Sequence, residues 1–154
     1  MQRSVSALMH ACHPNFAYIQ PTDGLMRLFG MLQVLTDHTE EVWHIQFSHN
    51  GRWLASASKD CTAIVWEVVS GSGLQKRHTF QGHSMAVTFC CWSPCDTMLA
   101  TCSLDGLVKI WDVHLGCCSC TIDLHQGATF TASWHPDGEL QARGATSPLY
   151  FFRA

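Results

Sequence analysis

Residues 103–112 read SLDGLVKIWD, and this stretch decides the fold because a similar one stands 45 residues earlier in the chain. Residues 58–67 read SKDCTAIVWE, with an aspartate and a tryptophan at the same two positions. In both copies the aspartate stands six residues before the tryptophan. These residues are Asp60 and Trp66, and Asp105 and Trp111. A match at a fixed offset indicates an internal repeat, which determines the architecture of the chain.

Histidines extend the repeat on its N-terminal side. A histidine stands 22 residues before each aspartate, at His38 and at His83. His125 continues the series, so the three histidines mark units that are 45 and 42 residues apart. A unit of this length, with a histidine early and a tryptophan late, is typical of a four-stranded β-propeller blade.

Each unit reads as short strands separated by turns. Segments rich in β-branched and aromatic residues predict the strands, and Asn50-Gly51 and residues 94–96 have turn chemistry. The predicted strands are 42–47, 53–56, 63–66 and 76–80 in the first unit, 86–92, 98–101, 107–111 and 118–124 in the second, and 149–152 in the third. Short strands at even spacing predict an all-β fold.

These motifs, from about residue 32 to residue 140, resemble the WD40-repeat family. The resemblance implies that hydrogen bonds tie each blade together through a histidine, a serine or threonine, the turn aspartate and the tryptophan. The residues at these positions are His38, Ser56, Asp60 and Trp66 in the first unit, and His83, Thr101, Asp105 and Trp111 in the second. A buried aspartate needs hydrogen-bond donors, which histidine and tryptophan supply, so we expect a structural role for these residues and not a catalytic one.

The repeat becomes irregular at both ends. In the third unit, Ser147 and Arg153 stand where the aspartate and the tryptophan are expected. Upstream, Asp23–Phe29 match Asp105–Trp111 in residue type, and a degenerate blade, a short helix and a disordered arm are the alternatives for residues 1–31. The expected WD40 repeats occupy residues 32–154, as units at about 38–80, 81–124 and a degenerate 125–154. The expected fold is a partial, open or truncated propeller of about three to four antiparallel blades.

A closed propeller has about four to eight blades, and the resemblance to the WD40 family implies about seven, so the arc predicted here is incomplete. Unpaired sheet edges promote association, and we expect either a homo-oligomer or other chains that complete the ring. Gln33–Leu35 could form an outer strand, which the third unit lacks, so a strand exchanged between copies is one such arrangement. A truncated fragment with little function of its own is the remaining alternative.

The composition argues against several other classes of protein. With 47% apolar and 14% charged residues, the 154-residue chain can bury a core. The net charge of −3 and the scattered basic residues predict no binding to nucleic acid or to a membrane surface. No apolar run reaches the ~18–20 residues of a bilayer span. We expect the nine cysteines to be reduced thiols.

The sequence offers only weak candidates for metal or catalytic chemistry. The densest group is His114, Cys117, Cys118 and Cys120, but alternate side chains of a strand point to opposite faces and cannot easily converge on zinc. The repeating aspartates and histidines are assigned to the blades, and neither a glycine-rich phosphate loop nor a Gly-x-Ser-x-Gly motif occurs. We therefore expect no metal, no cofactor and no enzymatic activity.

Within the WD40 family, segments 41–43, 47–51 and 58–66 are similar to WD-repeat scaffold subunits of GID/CTLH ubiquitin ligases. The resemblance implies a non-catalytic protein–protein interaction scaffold, cytoplasmic and also nuclear, whose partners are other proteins, among them ubiquitin-ligase subunits. A generic signalling or assembly scaffold unrelated to ubiquitin is the alternative. Substrate receptors of cullin-type ligases resemble this chain less, because they commonly carry a basic residue where Val69 and His114 stand here.

Loop and rim residues are the expected contact sites of such a scaffold, because loops carried on a rigid framework usually make the functional contacts. The candidate partner-facing residues are His44, Arg52, Trp53, Lys59 and Met85.

Overall fold

The computed structural model describes residues 33–70, 72–123, 127–144 and 150–153, which form eleven β-strands and no helix. The first four strands are β1 (Val42–Phe47), β2 (Trp53–Ser58), β3 (Thr62–Val69) and β4 (Gly73–Gln81). The next four are β5 (Val87–Trp92), β6 (Met98–Ser103), β7 (Val108–Asp112) and β8 (Cys117–Ile122). The last three are β9 (Thr129–Trp134), β10 (Glu139–Gly144) and β11 (Tyr150–Arg153). This part of the chain holds no helix with the length and apolarity that a membrane crossing requires.

The strands form three separate antiparallel sheets, which we number as blades in chain order. The first blade has the strand order β1-β2-β3-β4, the second β5-β6-β7-β8, and the third, with three described strands, β9-β10-β11. Consecutive strands pair within each sheet, so every blade is a meander. The prediction of an all-β chain folded as part of a propeller is confirmed. The segment 1–31, His125 and Ser147 lie outside the described residues.

Equivalent inner strands of neighbouring blades run side by side in the same direction. Near the start of β1, the ring of His44 lies 4.0 Å from the ring of Phe89 in β5, measured between centroids. Near the end of β1, the backbone carbonyl of Gln46 accepts a hydrogen bond of 3.0 Å from the indole of Trp92, the last residue of β5. The three inner strands therefore begin at one edge of the arc, the upper rim, and end at the opposite edge, the lower rim.

The hydrophobic core lies between the blades, where sheet faces stack. The core between the first and second blades includes Ala55, Ala57, Val65, Phe80, Cys90, Trp92, Leu99 and Trp111. The core between the second and third blades includes Cys91, Ala100, Cys102, Val108, Ile110, Ala132 and Leu140. Small residues in the central strands let the sheets approach closely, and large ones fill the space towards the edges. β2 is buried at all six positions because it is covered on both faces.

Candidate functional site

The turn aspartate of the second blade, Asp105, is held by three hydrogen bonds. One carboxylate oxygen accepts from Nδ1 of His83 and from the backbone N–H of Ser84, both at 2.9 Å. The other accepts from the backbone N–H of Leu107 at 2.9 Å. The side chains of Asp105 and His83 are only 4% and 2% exposed. Burial raises the pKa of Asp105, but these hydrogen bonds outweigh it, so the pKa lies below its ordinary value.

The same histidine continues the network towards the tryptophan. Nε2 of His83 lies 2.8 Å from the hydroxyl of Thr101, which also accepts a hydrogen bond of 2.9 Å from the indole N–H of Trp111. Because Nδ1 of His83 donates to Asp105, a neutral ring leaves Nε2 as the acceptor for the Thr101 hydroxyl. Burial lowers the pKa of His83, which favours this neutral form.

The first blade repeats the arrangement with serine in place of threonine. Nδ1 of His38 lies 2.8 Å from Asp60, and Nε2 lies 2.7 Å from the Ser56 hydroxyl. The indole of Trp66 donates to the same hydroxyl at 3.0 Å. Asp60 also accepts a hydrogen bond of 2.6 Å from the Thr62 hydroxyl. The structure thus brings the eight residues singled out from the sequence together as two groups of four, each engaged within its own blade.

A third aspartate, which sequence reasoning missed, joins the first two blades at the lower rim. Asp96 accepts hydrogen bonds from the backbone N–H groups of His49 and Asn50, both at 2.8 Å, and lies 2.7 Å from Nδ1 of His49. Its φ is +58°, and the same repeat position holds Gly51 (+69°) and Gly138 (+89°) in the other blades. An aspartate at a glycine position was the available signal, because the left-handed region disfavours other residues unless contacts compensate.

Two histidines of the first blade lie at its junction with the second. Nδ1 of His44 lies 3.4 Å from the thiol of Cys90, and the ring of His78 packs against the backbone of Gly116. Nε2 of His78 is buried and has no hydrogen-bond partner among the described residues. Burial lowers the pKa of both histidines, because protonation would place a poorly solvated charge between the blades.

We expect the free energy of unfolding to fall when the pH is lowered from about 7.5 to about 5.5. The ordinary pKa of histidine is 6.5, and the folded-state values of His44, His78 and His83 lie lower. Below pH 6.5 the unfolded chain therefore binds more protons, and stability is lost as the pH falls towards the folded-state values. The lowered pKa values of Asp60 and Asp105 affect the stability only below the ordinary aspartate pKa of 3.8, which lies outside this pH range.

Urea denaturation at the two pH values measures this loss. A variant carrying both His44→Gln and His78→Gln should lose less stability at the lower pH than the parent chain. His114→Gln is the matched control, because His114 is exposed and should leave the difference unchanged. An undiminished loss in the double variant would contradict the assignment to these two residues.

The inner strand of every blade contains a β-bulge close to the upper rim. The pairing register shifts at Trp43 in β1, at Thr88 in β5 and at Phe130 in β9. Thr88 turns its hydroxyl inward and donates to the carbonyl of Thr129 at 2.8 Å. Trp43 and Phe130 instead leave 46% and 48% of their surface exposed. A bulge redirects a side chain, and here it directs two aromatic rings towards solvent.

Met85 adds a third exposed apolar side chain to this rim. It precedes β5 and is 48% exposed, while its backbone carbonyl accepts a hydrogen bond of 3.0 Å from the Ser103 hydroxyl. Trp43, Met85 and Phe130 thus supply one large apolar side chain from each blade, and we call the three the apolar rim patch. Exposed apolar side chains of this size on a rigid framework are characteristic of protein-binding surfaces.

The five partner-facing candidates from the sequence lie in different places. Met85 and Lys59 are at the upper rim, where Lys59 pairs with Glu41 at 3.0 Å. Arg52 is exposed at the lower rim over the ring of Trp53. Trp53 itself is 8% exposed and belongs to the core between the first two blades, so its side chain is not available to a partner. His44 is half-buried in the same junction. The bulge residues Trp43 and Phe130 were missed, because Trp43 reads as an ordinary strand position and no strand was predicted around Phe130.

A cleft of about 420 Å³ opens where the three inner strands end. The indoles of Trp92 and Trp134 line it, and both indole N–H groups already donate to backbone carbonyls of the preceding inner strand. Pro94 and Pro136 contribute apolar surface to the wall of the cleft. No lysine, arginine, aspartate or glutamate is among the lining residues. The polar lining residues of the cleft are Gln46, His49 and Ser133, and Nδ1 of His49 lies 2.7 Å from the carboxylate of Asp96.

The cysteine-rich strand β8 does not gather a metal site. Cys117, Cys118 and Cys120 are exposed, and the register of β8 shifts at Ser119 between them. Among the described residues, no three His, Cys, Asp or Glu side chains are close enough together to hold a metal ion. The eight cysteines among the described residues are free thiols.

Comparison with known proteins identifies the repeats. The family model "WD domain, G-beta repeat" matches residues 29–67 and 74–112. The chain is 40% identical over 114 residues to a WD repeat-containing protein 26 homolog of Arabidopsis thaliana, which covers 74% of this chain and 19% of that protein. It is also 40% identical over 120 residues to a WD repeat-containing protein WDS homolog of the same plant, which covers 76% of this chain and 23% of that protein.

A shorter match has a higher sequence identity. GID complex subunit 7 of Schizosaccharomyces pombe is 65% identical over 37 residues, which cover 24% of this chain and 7% of that protein. The chain thus spans roughly a fifth of the length of the first two relatives. The resemblance drawn from the sequence motifs is confirmed, and the family match covers half of the chain. By its repeats, its blades and these matches, the chain belongs to the WD40 (G-beta repeat) family.

Proposed function

We propose that this chain is a non-catalytic scaffold that binds other proteins at its upper rim and works in a ubiquitin-ligase complex of the GID/CTLH type. The observation that carries the proposal is the apolar rim patch, Trp43, Met85 and Phe130, whose side chains are about half exposed on three rigidly stacked blades. Its partners are subunits of that complex, and its location is the cytoplasm, with the nucleus as a second site.

The absence of catalysis is part of the proposal. The acids and bases that recur along the chain are engaged within the blades, as Asp105 is with His83, and they are almost fully buried. A group of this kind cannot reach a substrate without unfolding its blade. The membership of the WD40 family is consistent with a scaffold, because propellers of this kind hold loops and rims in fixed positions for recognition.

The ligase assignment rests on the relatives. GID complex subunit 7 is by its name a member of a GID complex, and the 65% identical segment is the most specific likeness to this chain among the matches described above. The two plant relatives extend the likeness at 40% identity over most of the chain. A scaffold without a ubiquitin link is the competing function, and affinity capture separates the two.

Affinity capture of GID/CTLH ubiquitin-ligase subunits tests the role of the apolar rim patch. The tagged full chain should retain GID/CTLH ubiquitin-ligase subunits from a eukaryotic lysate. The triple variant Trp43→Ala, Met85→Ala, Phe130→Ala should retain at least about tenfold less, because the aromatic anchors at the centre of an interface contribute about 2 kcal/mol or more each to binding. Immunoblotting against those subunits measures the difference.

A matched control is available at the lower rim. Leu115 is 76% exposed and apolar, so Leu115→Ala removes a comparable side chain away from the patch and should leave capture unchanged. If the parent chain retains no ligase subunit, the ligase assignment is wrong. If the triple variant captures them as well as the parent, the partner binds elsewhere on the arc.

A further inference from the structure

The cleft at the lower rim is built from two rows of repeat-equivalent residues, and each row takes one residue from each blade. The first row lies near the ends of the inner strands and consists of Gln46, Cys91 and Ser133, which are 45 and 42 residues apart. The second row follows those strands at the same spacing and consists of His49, Pro94 and Pro136. The cleft of about 420 Å³ therefore runs across all three blades.

The accessible wall of the cleft is largely apolar. Phe89, Pro94 and Trp134 are half-buried there, and Pro136 is exposed. Trp92 is 2% exposed and adds little accessible surface. Because the indole N–H of Trp134 already donates to a backbone carbonyl, this residue offers a ligand only the apolar surface of its ring. Such a wall favours a large apolar group of a ligand.

Gln46 and Ser133 bring hydrogen-bonding groups to this apolar wall. The side-chain carbonyl of Gln46 accepts a hydrogen bond of 3.2 Å from the backbone N–H of Trp92, which fixes the amide. Its Nε2 has no hydrogen-bond partner among the described residues and is not one of their buried atoms, so a ligand can reach it. The hydroxyl of Ser133, an exposed residue, likewise has no partner within the described ranges.

His49 supplies an acceptor at the same cleft. Its Nδ1 lies 2.7 Å from the carboxylate of Asp96, whose side chain is 6% exposed. A carboxylate only accepts hydrogen bonds, so Nδ1 is the donor and the neutral ring keeps Nε2 as an acceptor. The side chain of His49 is 58% exposed and lines the cleft, which leaves it open to a ligand.

We propose that this cleft binds an extended, uncharged segment of a partner protein. A peptide unit carries one carbonyl and one N–H, which match the amide donor of Gln46 and the imidazole acceptor of His49. A large apolar side chain of the same segment packs against Trp134 and the two prolines.

The charge and the shape of the cleft define this class of ligand. None of the lining residues is a lysine, arginine, aspartate or glutamate, so a charged side chain would lose water there without gaining a counter-charge. The two rows cross three blades, which suits an extended chain better than a compact molecule. The site lies at the lower rim, opposite the apolar rim patch, and does not rest on the ubiquitin-ligase assignment.

Peptide panning tests the proposal with a defined probe. A phage-displayed library of random peptides is panned against the purified full chain, and the enriched peptides are synthesised with blocked ends. These peptides should be uncharged, should carry a large apolar residue and should bind the full chain in a fluorescence-polarisation titration. A library that yields no binding peptide, or only charged ones, would overturn the proposal.

A substitution that fills the cleft shows where these peptides bind. Ser133→Trp places an indole in the cleft from an exposed position and should weaken binding by at least about tenfold, because it occupies the space of the ligand. Ser119→Trp is the matched control, since Ser119 is an exposed serine of β8 that does not line the cleft. Equal affinities of these two variants would place the peptide elsewhere and overturn the proposal.

A double-mutant cycle tests the hydrogen bond to His49 and serves also if Ser133→Trp does not fold. Methylation of the peptide's backbone nitrogens, one at a time, should reveal a position at which affinity for the parent chain falls about fivefold. In His49→Ala the same methylation should have little further effect, because the acceptor is already absent. Effects of equal size in both chains at every position would overturn the assignment of His49 as the acceptor, and with it the proposed binding mode.

Discussion

Replacing Asp105 by alanine should lower the free energy of unfolding by about 3 kcal/mol. The substitution removes the acceptor of three hydrogen bonds at once, from the His83 ring and from the backbone N–H groups of Ser84 and Leu107. These donors lie around a carboxylate that is 4% exposed, so water cannot readily replace it. An unmade hydrogen bond in such a place costs the full desolvation of the donor, and this cost dominates the effect.

Chemical denaturation, followed by tryptophan fluorescence and by circular dichroism, measures the loss for Asp105. Asp123→Ala is the matched control, since Asp123 is an exposed aspartate of the same blade and its replacement should change stability by less than about 0.5 kcal/mol. Asp105→Asn should fall between the two, because an amide oxygen preserves part of the acceptor geometry. Equal stabilities for Asp105→Ala and Asp123→Ala would show that the network contributes little.

The repeat spacing predicts much of the fold, because every blade uses the same repeat positions for the same contacts. An aspartate six residues before a tryptophan marks a turn and the strand that follows, and β3 and β7 lie there. The predicted strands 53–56, 98–101 and 107–111 agree with β2, β6 and β7 to within two residues at each end. The prediction 63–66 covers the buried part of β3 but misses its last three residues, which are not fully buried.

The outer strands were harder to predict. β8 is exposed at five of its six positions, so burial imposes little pattern on it. It ends at Ile122, two residues before the predicted end, and β4 begins at Gly73, three residues before the predicted start. A strand at the edge of a sheet pairs on one side only, and its sequence is correspondingly less constrained.

The candidate site depended on features that one blade alone does not reveal. Trp43 and Phe130 become surface residues because a bulge turns them out of the ladder, and a bulge leaves no mark in the alternation of residue types. Trp53 was a candidate partner-facing residue, yet the second blade covers it. Asp96 was read as part of a turn, whereas its partners, His49 and Asn50, lie 47 and 46 residues away in the preceding blade.

The two described junctions between blades are built differently. At the first, the buried Asp96 side chain binds two backbone N–H groups of the neighbouring blade, and Trp92 fills the space beside it. At the second, glycine replaces the aspartate at position 138, and Thr129 instead hydrogen-bonds the backbone N–H and carbonyl of Ser103. The tryptophan at the end of the inner strand is the element that both junctions share.

Replacing Trp92 by alanine should therefore be among the most damaging single changes, with a loss of about 3–5 kcal/mol. Among the residues whose burial the structure describes, this side chain is the largest of the fully buried ones, and it belongs to the core between the first two blades. Its indole N–H also donates to the carbonyl of Gln46, so the change removes packing and a hydrogen bond between blades together. A loss of this size approaches the total stability of a small domain.

Trp92→Phe keeps the result interpretable if the alanine variant does not fold. It retains most of the buried ring but leaves the Gln46 carbonyl without its donor, so the expected loss is about 1–2 kcal/mol. Phe130→Ala, at a half-exposed position in the equivalent strand of the third blade, should cost less than about 1 kcal/mol. Urea titration of the three variants orders them. If Trp92→Ala proved no more destabilising than Phe130→Ala, the blades would not depend on this packing, and the apolar rim patch could not be regarded as held on a rigid arc.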